Sequence, residues 1–294
     1  MTSIPVNDLI LRATATNAPF RFVLIDLTHI SNAIGAQHGA RAHCLSLLAE
    51  ASIASLLLSS GLKFPGTISM QVGFSGDLSM VQADSTPMGL VRAMIPFEEI
   101  QKAGDFELLL SPQRIKVRKL NEKAKLVQES IVDAASTSMS ANLSAYMLQS
   151  EQTKSGVGIH SRTNDKDDRK LDYAIGFLVE AYPGADEKQL NIMDMVIRDL
   201  PPMQNFMTAD GFQLKGLLDQ LSGPFETEII REITPNAYCP CSKVRTLENI
   251  STLPSKELND LIQEGDDLEV TCDFCRATYT VTLLELREIL DQRG

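Results

Sequence analysis

The sequence predicts an α+β protein: an N-terminal α/β domain with an antiparallel sheet, a helical linker, and a small C-terminal four-cysteine domain. Three observations carry that reading. Helix-like and strand-like periodicities alternate over residues 1–184, amphipathic helical stripes dominate 185–235, and four of the five cysteines fall in two pairs within 236–294. With 44% hydrophobic and 22% charged residues, the 294-residue chain has the composition of a globular protein able to bury a substantial core.

The opening MTSIPVNDLILRATATNAPF lacks a basic stretch followed by an apolar one, so it does not read as a secretory signal. PFRFVLIDLT has strand composition. Leu45, Leu48, Ile53, Leu56 and Leu57 then recur at helical spacing, in a segment whose Glu50 and serines suit a buried helix better than a bilayer span. GTISMQVGFSGDLSMVQADSTPMGLVRAMI gives three short strand-like runs broken by Gly, Asp and Pro, the pattern of an antiparallel meander. FELLLSP, RIKVRKL and KLVQESIV extend it, TSMSANLSAYML returns to helix, NDKDDRK is a solvated loop, and IGFLVEAYPGA closes the domain near residue 184.

In the linker, Leu190, Met193, Val196, Ile197 and Leu200 share one helical stripe; PPMQNFMTADG breaks it, and FQLKGLLDQLSG makes a second amphipathic helix. Four of the eleven methionines lie here, and Met-rich apolar faces adapt to many partners. These faces, with Met193, Val196, Ile197, Phe212, Leu217 and Leu218, either pack on the main domain or detach to bind a partner, and the two readings hold in different states.

Residues 236–294 combine the cysteine pairs with a helix in SKELNDLI, strand-like LEVTC and ATYTV, and a last helix starting with Thr282 and Glu285 in capping-box spacing. So short a unit with few large apolar side chains makes a marginal core and needs a staple. Cys239 and Cys241, then Cys272 and Cys275, supply four thiolates in two local pairs, the donor set of a closed tetrahedral zinc site with one Zn2+ per chain. His29, His38, His43 and His160 all lie far upstream. A closed site without an open position or a nearby base does not suit hydrolysis, and with no H-x-E partner CDFC is not half of a nucleobase-deaminase signature. Cys44, alone on an apolar helix, receives no role.

A metal here would link Cys241 to Cys272 across the intervening chain, with binding energy on the order of 10 to 16 kcal/mol acting as folding energy. Disulfides between Cys239 and Cys241 and between Cys272 and Cys275 would consume all four ligands while closing only tiny loops. That exchange forfeits a long-range crosslink worth roughly 3 to 4 kcal/mol in the loop-entropy account.

These residues resemble the redox-regulated 33 kDa chaperonin family. The likeness rests on AYCPCSKVR, on CDFCRATY with Phe274 and Tyr279, on the interval between them, on the Gln-x-Gly strand and turn in ISMQVGFSGDL, and on YMLQSEQT at a helix end. The resemblance implies an ATP-independent holdase, not an enzyme, for unfolding and oxidatively damaged client proteins. It is inactive when reduced and zinc-bound, and is switched on when the Cys239–Cys241 and Cys272–Cys275 disulfides form and the metal is released. It also implies a linker that unfolds and a homodimer when activated.

Other functional classes fare worse. A thiol-disulfide oxidoreductase normally carries its CxxC at a helix N-terminus, whereas CDFC lies between strand-like runs. A zinc-ribbon nucleic-acid module needs a basic stripe; residues 236–294 hold six basic and eleven acidic side chains, and the whole chain carries −11. No nucleic acid and no membrane is expected as partner, and paired thiols for metal or redox use fit a cytoplasmic protein.

Overall fold

A helix that is apolar on every side needs walls on every side, and Ala42–Ser59 finds them between two β-sheets. The computed structural model describes residues 8–103, 108–134, 136–209 and 211–292. The first seven residues of the opening segment, and Phe106 and Glu107 of FELLLSP, lie outside that set. The chain forms two compact units, Met1–Tyr238 and Cys239–Gly294.

In the first unit β1 (Leu9–Ala15) and β2 (Phe20–Asp26) form a hairpin, followed by helices α1 (Thr28–His38) and α2 (Ala42–Ser59). The meander read in the sequence is β3 (Gly66–Gly76), β4 (Met80–Ser85) and β5 (Leu90–Met94), all antiparallel. After α3 (Phe97–Ala103) come β6 (Leu110–Asn121), β7 (Leu126–Asp133), α4 (Met139–Gln149), β8 (Ser155–Thr163) and β9 (Leu171–Ala181). Then α5 (Glu187–Arg198), the two-residue strands β10 (Met207–Thr208) and β11 (Gly211–Phe212), α6 (Leu214–Ser222), β12 (Thr227–Ile233) and β13 (Asn236–Ala237) complete the unit.

One sheet has the order β12-β1-β2-β9-β8 and the other β13-β5-β4-β3-β6-β7. Side chains alternate along a strand, so β1, β2 and β9 of the first sheet each serve two cores. Val23 and Ile25 face α2 and the second sheet, whereas Phe20, Phe22 and Leu24 face the opposite side. This explains why FRFVLID and YAIGFLV read as nearly continuous apolar runs: both faces are buried. The approach of α2 is close enough that a Cβ at Gly176 would lie 2.1 Å from Ile53 Cγ2. By length and composition α2 could cross a membrane, but here it is core.

Two readings change with the tertiary structure. The end of FELLLSP, from Leu110, and RIKVRKL, taken as separate runs, merge in β6, which carries Pro112 beside a register shift at Gly73/Phe74. The proline is tolerated because β7 pairs only from Arg114 onward, leaving that side of Pro112 without a ladder partner. The linker is not wholly helical. β12 pairs with β1 as the edge of the first sheet, a placement its own sequence does not signal because Ile229 and Ile230 are exposed and Glu232 and Arg231 lie between them and Ile233.

The expected stripes of 185–235 lie on the outer face of the first sheet. α5 opens with a capping box between Asp186 and Gln189, and the pair of helices covers Leu11, Ala13, Phe20, Phe22, Leu24, Ile175, Phe177 and Val179.

The second unit contains α7 (Lys243–Ile250), α8 (Ser255–Glu264), a hairpin of β14 (Leu268–Thr271) and β15 (Thr278–Val281), and α9 (Leu283–Asp291). The Thr282–Glu285 capping box forms as the spacing indicates. Its buried apolar core among the described residues is Ile250, Leu258, Val281 and Leu286, a small core for an autonomous unit.

Candidate metal centre

Two local structures carry the four thiols. Cys239 and Cys241 lie in the extended segment that ends where Ser242 caps α7, its hydroxyl accepting from the Arg245 amide. Cys272 and Cys275 occupy the turn between β14 and β15. There the Arg276 amide donates to the Cys272 carbonyl at 2.9 Å and the Cys272 amide to the Ala277 carbonyl at 2.9 Å. Arg276 takes a left-handed conformation, φ 59°, which tightens the knuckle and turns both thiols to the same side as the first pair.

Cys239 Sγ lies 3.7 Å from Cys272 Sγ, Cys241 Sγ lies 3.2 Å from Cys275 Sγ, and all four sulfurs are within 4.8 Å of one another. Tetrahedral thiolates bound at ~2.3 Å from a metal stand about 3.8 Å apart, so the donor set fits a single ion. A disulfide needs ~2.05 Å, so no disulfide joins these sulfurs. Among the described residues this is the group of His, Cys, Asp and Glu side chains that can hold a metal ion.

Crowding works against charge when only sulfur is present. Burial, followed by the Cys241 thiol and the charges of its neighbours, pushes the Cys275 thiol up to about 12. A divalent cation reverses the sign of that interaction, because it needs the thiolate form and neutralises it. Tyr279 on β15 adds a phenol whose oxygen lies 3.1 Å from Cys241 Sγ. Lys243 pairs with Glu285 at 2.8 Å, tying the start of α7 to the start of α9.

The six linker positions fall together on the first unit. Met193, Leu217 and Leu218 are buried, and Ile197 and Phe212 are half-buried, all against the outer face of the first sheet. Phe212 packs between Tyr173 and Phe206 at ring distances of 6.1 and 5.9 Å. Val196 instead meets the end of α6, where a Cβ at Gly223 would lie 2.6 Å from its Cγ2. Ile197 reaches the sheet at Gly156, where a Cβ would lie 2.2 Å from its Cδ1. The sequence did not reveal that glycine socket, since a lone glycine in a strand signals only close approach by something.

Other singled-out residues are structural. Cys44 is buried in the core and its thiol is pushed up to about 11 by burial. In the YMLQSEQT segment the Tyr146 hydroxyl donates to Glu151, which also accepts from Lys119 at 2.8 Å, forming one wall of a cavity of about 520 Å3.

The sequence profile of the Hsp33 protein family matches residues 8–282. A 33 kDa chaperonin of Streptococcus pneumoniae strain JJA is 25% identical over 294 residues, covering 98% of this chain and all of that protein. The 33 kDa chaperonin of S. pneumoniae serotype 19F strain G54 is similar to the same extent. Among solved structures, the 33 kDa chaperonin of Thermotoga maritima superposes with a TM-score of 0.78 over 97% of this chain and 98% of that one, at 21% identity, which speaks for the fold.

Proposed function

The chain belongs to the Hsp33 protein family, and on that premise we propose that it is a redox-regulated, ATP-independent holdase, a binding protein and not an enzyme. Its clients are unfolding and oxidatively damaged proteins, its place is the cytoplasm, and its active form is a homodimer. The observation that carries the redox reading is the convergence of four sulfurs from two segments distant in sequence, the start of the unit and the β14–β15 turn, in a unit with a small core.

Cys239, Cys241, Cys272 and Cys275 would hold one Zn2+, whose bonds supply the crosslink between the segment before α7 and the β14–β15 turn. Oxidation of Cys239 with Cys241 and of Cys272 with Cys275 uses every ligand and leaves two local bridges, neither of which joins those segments. The second unit then has too little buried apolar surface to stay folded. Chain continuity passes the change upstream, since β13 ends at Ala237, two residues before Cys239.

The linker undocks in this scheme, an order-to-disorder transition. Two apolar surfaces become available: the faces bearing Met193, Val196, Ile197, Phe212, Leu217 and Leu218, and the sheet surface of Phe20, Phe22, Leu24, Ile175 and Phe177 they had covered. The aromatic content and extent of that sheet face support it as a client surface.

The test compares reduced, zinc-loaded protein with peroxide-treated, zinc-free protein in a client aggregation assay by light scattering without nucleotide, alongside metal and thiol counts. Suppression by the oxidised form alone is expected. Equal behaviour of the two forms would leave the metal a purely structural role.

A further inference from the structure

Cys241 differs from a plain metal-ligand cysteine in having a phenol directed at its sulfur, with Tyr279 Oη 3.1 Å away. The contact is built into the hairpin. Tyr279 is registered opposite Val270 in the β14–β15 ladder, and Thr271 opposite Thr278 closes the ladder next to Cys272. The hairpin whose turn carries the second cysteine pair therefore also places a donor against the first pair. Tyr279 is only partly buried, so its hydroxyl is not held there by a lack of solvent alternatives. The partner is chosen by position.

We infer that Tyr279 is a positioning residue that sets the oxidant threshold of the four-cysteine centre by donating a hydrogen bond to the Cys241 sulfur. This rests on the reading of the centre as an oxidisable metal site. In oxidation by a peroxide, a thiolate lone pair attacks one peroxide oxygen, the O–O bond breaks, hydroxide leaves and the sulfur becomes a sulfenic acid. A second thiolate then attacks that sulfur, the S–S bond forms and a second hydroxide leaves, so two thiolates are oxidised as one peroxide is reduced. Both steps spend a sulfur lone pair. A phenol O–H donated to Cys241 draws on that same electron density, lowering nucleophilicity while leaving the sulfur able to ligate. A ligand held this way reacts only at higher oxidant exposure, which keeps the clamp closed under basal conditions.

The test uses the full chain, reduced and loaded with one zinc, in wild-type form, as Tyr279→Phe, and with 3-fluorotyrosine placed at position 279. Fluorination makes the phenol a stronger donor, and phenylalanine removes it. Oxidation at Cys241 is followed after hydrogen peroxide addition by timed alkylation and peptide-resolved mass spectrometry, with zinc release read by a chromogenic chelator. Cys241 is expected to oxidise about tenfold faster in Tyr279→Phe, the size of effect that a hydrogen bond to a charged group commands. The fluorotyrosine protein should be slower than wild type, with zinc content unchanged before peroxide. Equal rates in all three, with zinc released normally, would overturn the inference while leaving the redox reading intact. If Tyr279→Phe does not fold or load zinc, the wild-type and fluorotyrosine pair decides, and a flat comparison overturns the inference. A wild-type protein that keeps its zinc through complete peroxide treatment would overturn both.

Discussion

The sulfur of Cys239 lies 3.7 Å from the sulfur of Cys272, a residue 33 positions further along the chain. Cys241 approaches Cys275 across the same two segments, at 3.2 Å. The geometry is that of a clamp between the segment before α7 and the β14–β15 turn.

Replacing Cys272 and Cys275 by serine should abolish stoichiometric zinc binding, because hydroxyls are poor partners for an ion held by soft sulfur. The second unit should then lose amide protection while the core around α2 keeps its own. Metal analysis and hydrogen exchange check this. Full zinc retention in the double variant would rule out the proposed ligand set.

Peroxide treatment should give Cys239–Cys241 and Cys272–Cys275 bridges, although Cys239 also lies 3.7 Å from Cys272 and Cys241 3.2 Å from Cys275. Local bridges release the two segments; crossed bridges would staple them together. Peptide mapping without reduction distinguishes the two. Recovery of a Cys239–Cys272 or Cys241–Cys275 bridge as the main product would contradict release as the switch.

Gly156→Val should loosen α5 without touching the metal. The valine methyls need the space that Ile197 Cδ1 fills, 2.2 Å from where a Cβ would stand. Overpacking of this kind costs about 1 to 3 kcal/mol. Hydrogen exchange should show lost protection in Glu187–Arg198 at unchanged zinc content, together with partial client binding by the reduced protein. Unchanged α5 protection would show that the helix does not depend on this socket.

Asp26 should titrate far above an ordinary aspartate. It is buried at the end of β2, and desolvation raises its carboxyl to about 6, opposed by hydrogen bonds from Thr28 and assisted by the charge of Asp8. A carboxyl raised on folding binds its proton more tightly in the folded state. Its stabilising contribution is therefore complete below the unfolded value of 3.8 and is lost as pH rises through about 6. The change is on the order of 3 kcal/mol between pH 4 and 7. Asp26→Asn keeps an acceptor for Thr28 and should remove that part of the pH dependence. Parallel stability curves for both proteins across pH 4 to 7 would refute it, as would a carboxyl resonance titrating near 4.

Much of the site was legible because its information is local. Two cysteines one or two residues apart declare a shared ligand pair whatever the rest of the chain does, and Thr282 with Glu285 declares a helix start for the same reason. The apolar stripe of Met193 and Ile197 likewise follows from helical spacing alone.

What the stripe packs against was not local. The outer surface of the first sheet exists only once β1, β2 and β9 are paired, and strand pairing depends on partners distant in the chain. The assignment of β12 to that sheet, in a stretch that reads as linker, was lost for the same reason. So were the seat of Ile197 at Gly156 and the reach of Tyr279 to Cys241. By itself the sequence determined the α+β class, the amphipathic linker helices and the four-thiol donor set, because periodicity and short spacing act within a few residues. Only the tertiary structure decided which surface the linker covers and which donor faces which sulfur, because those contacts form between segments that the folded backbone alone brings together.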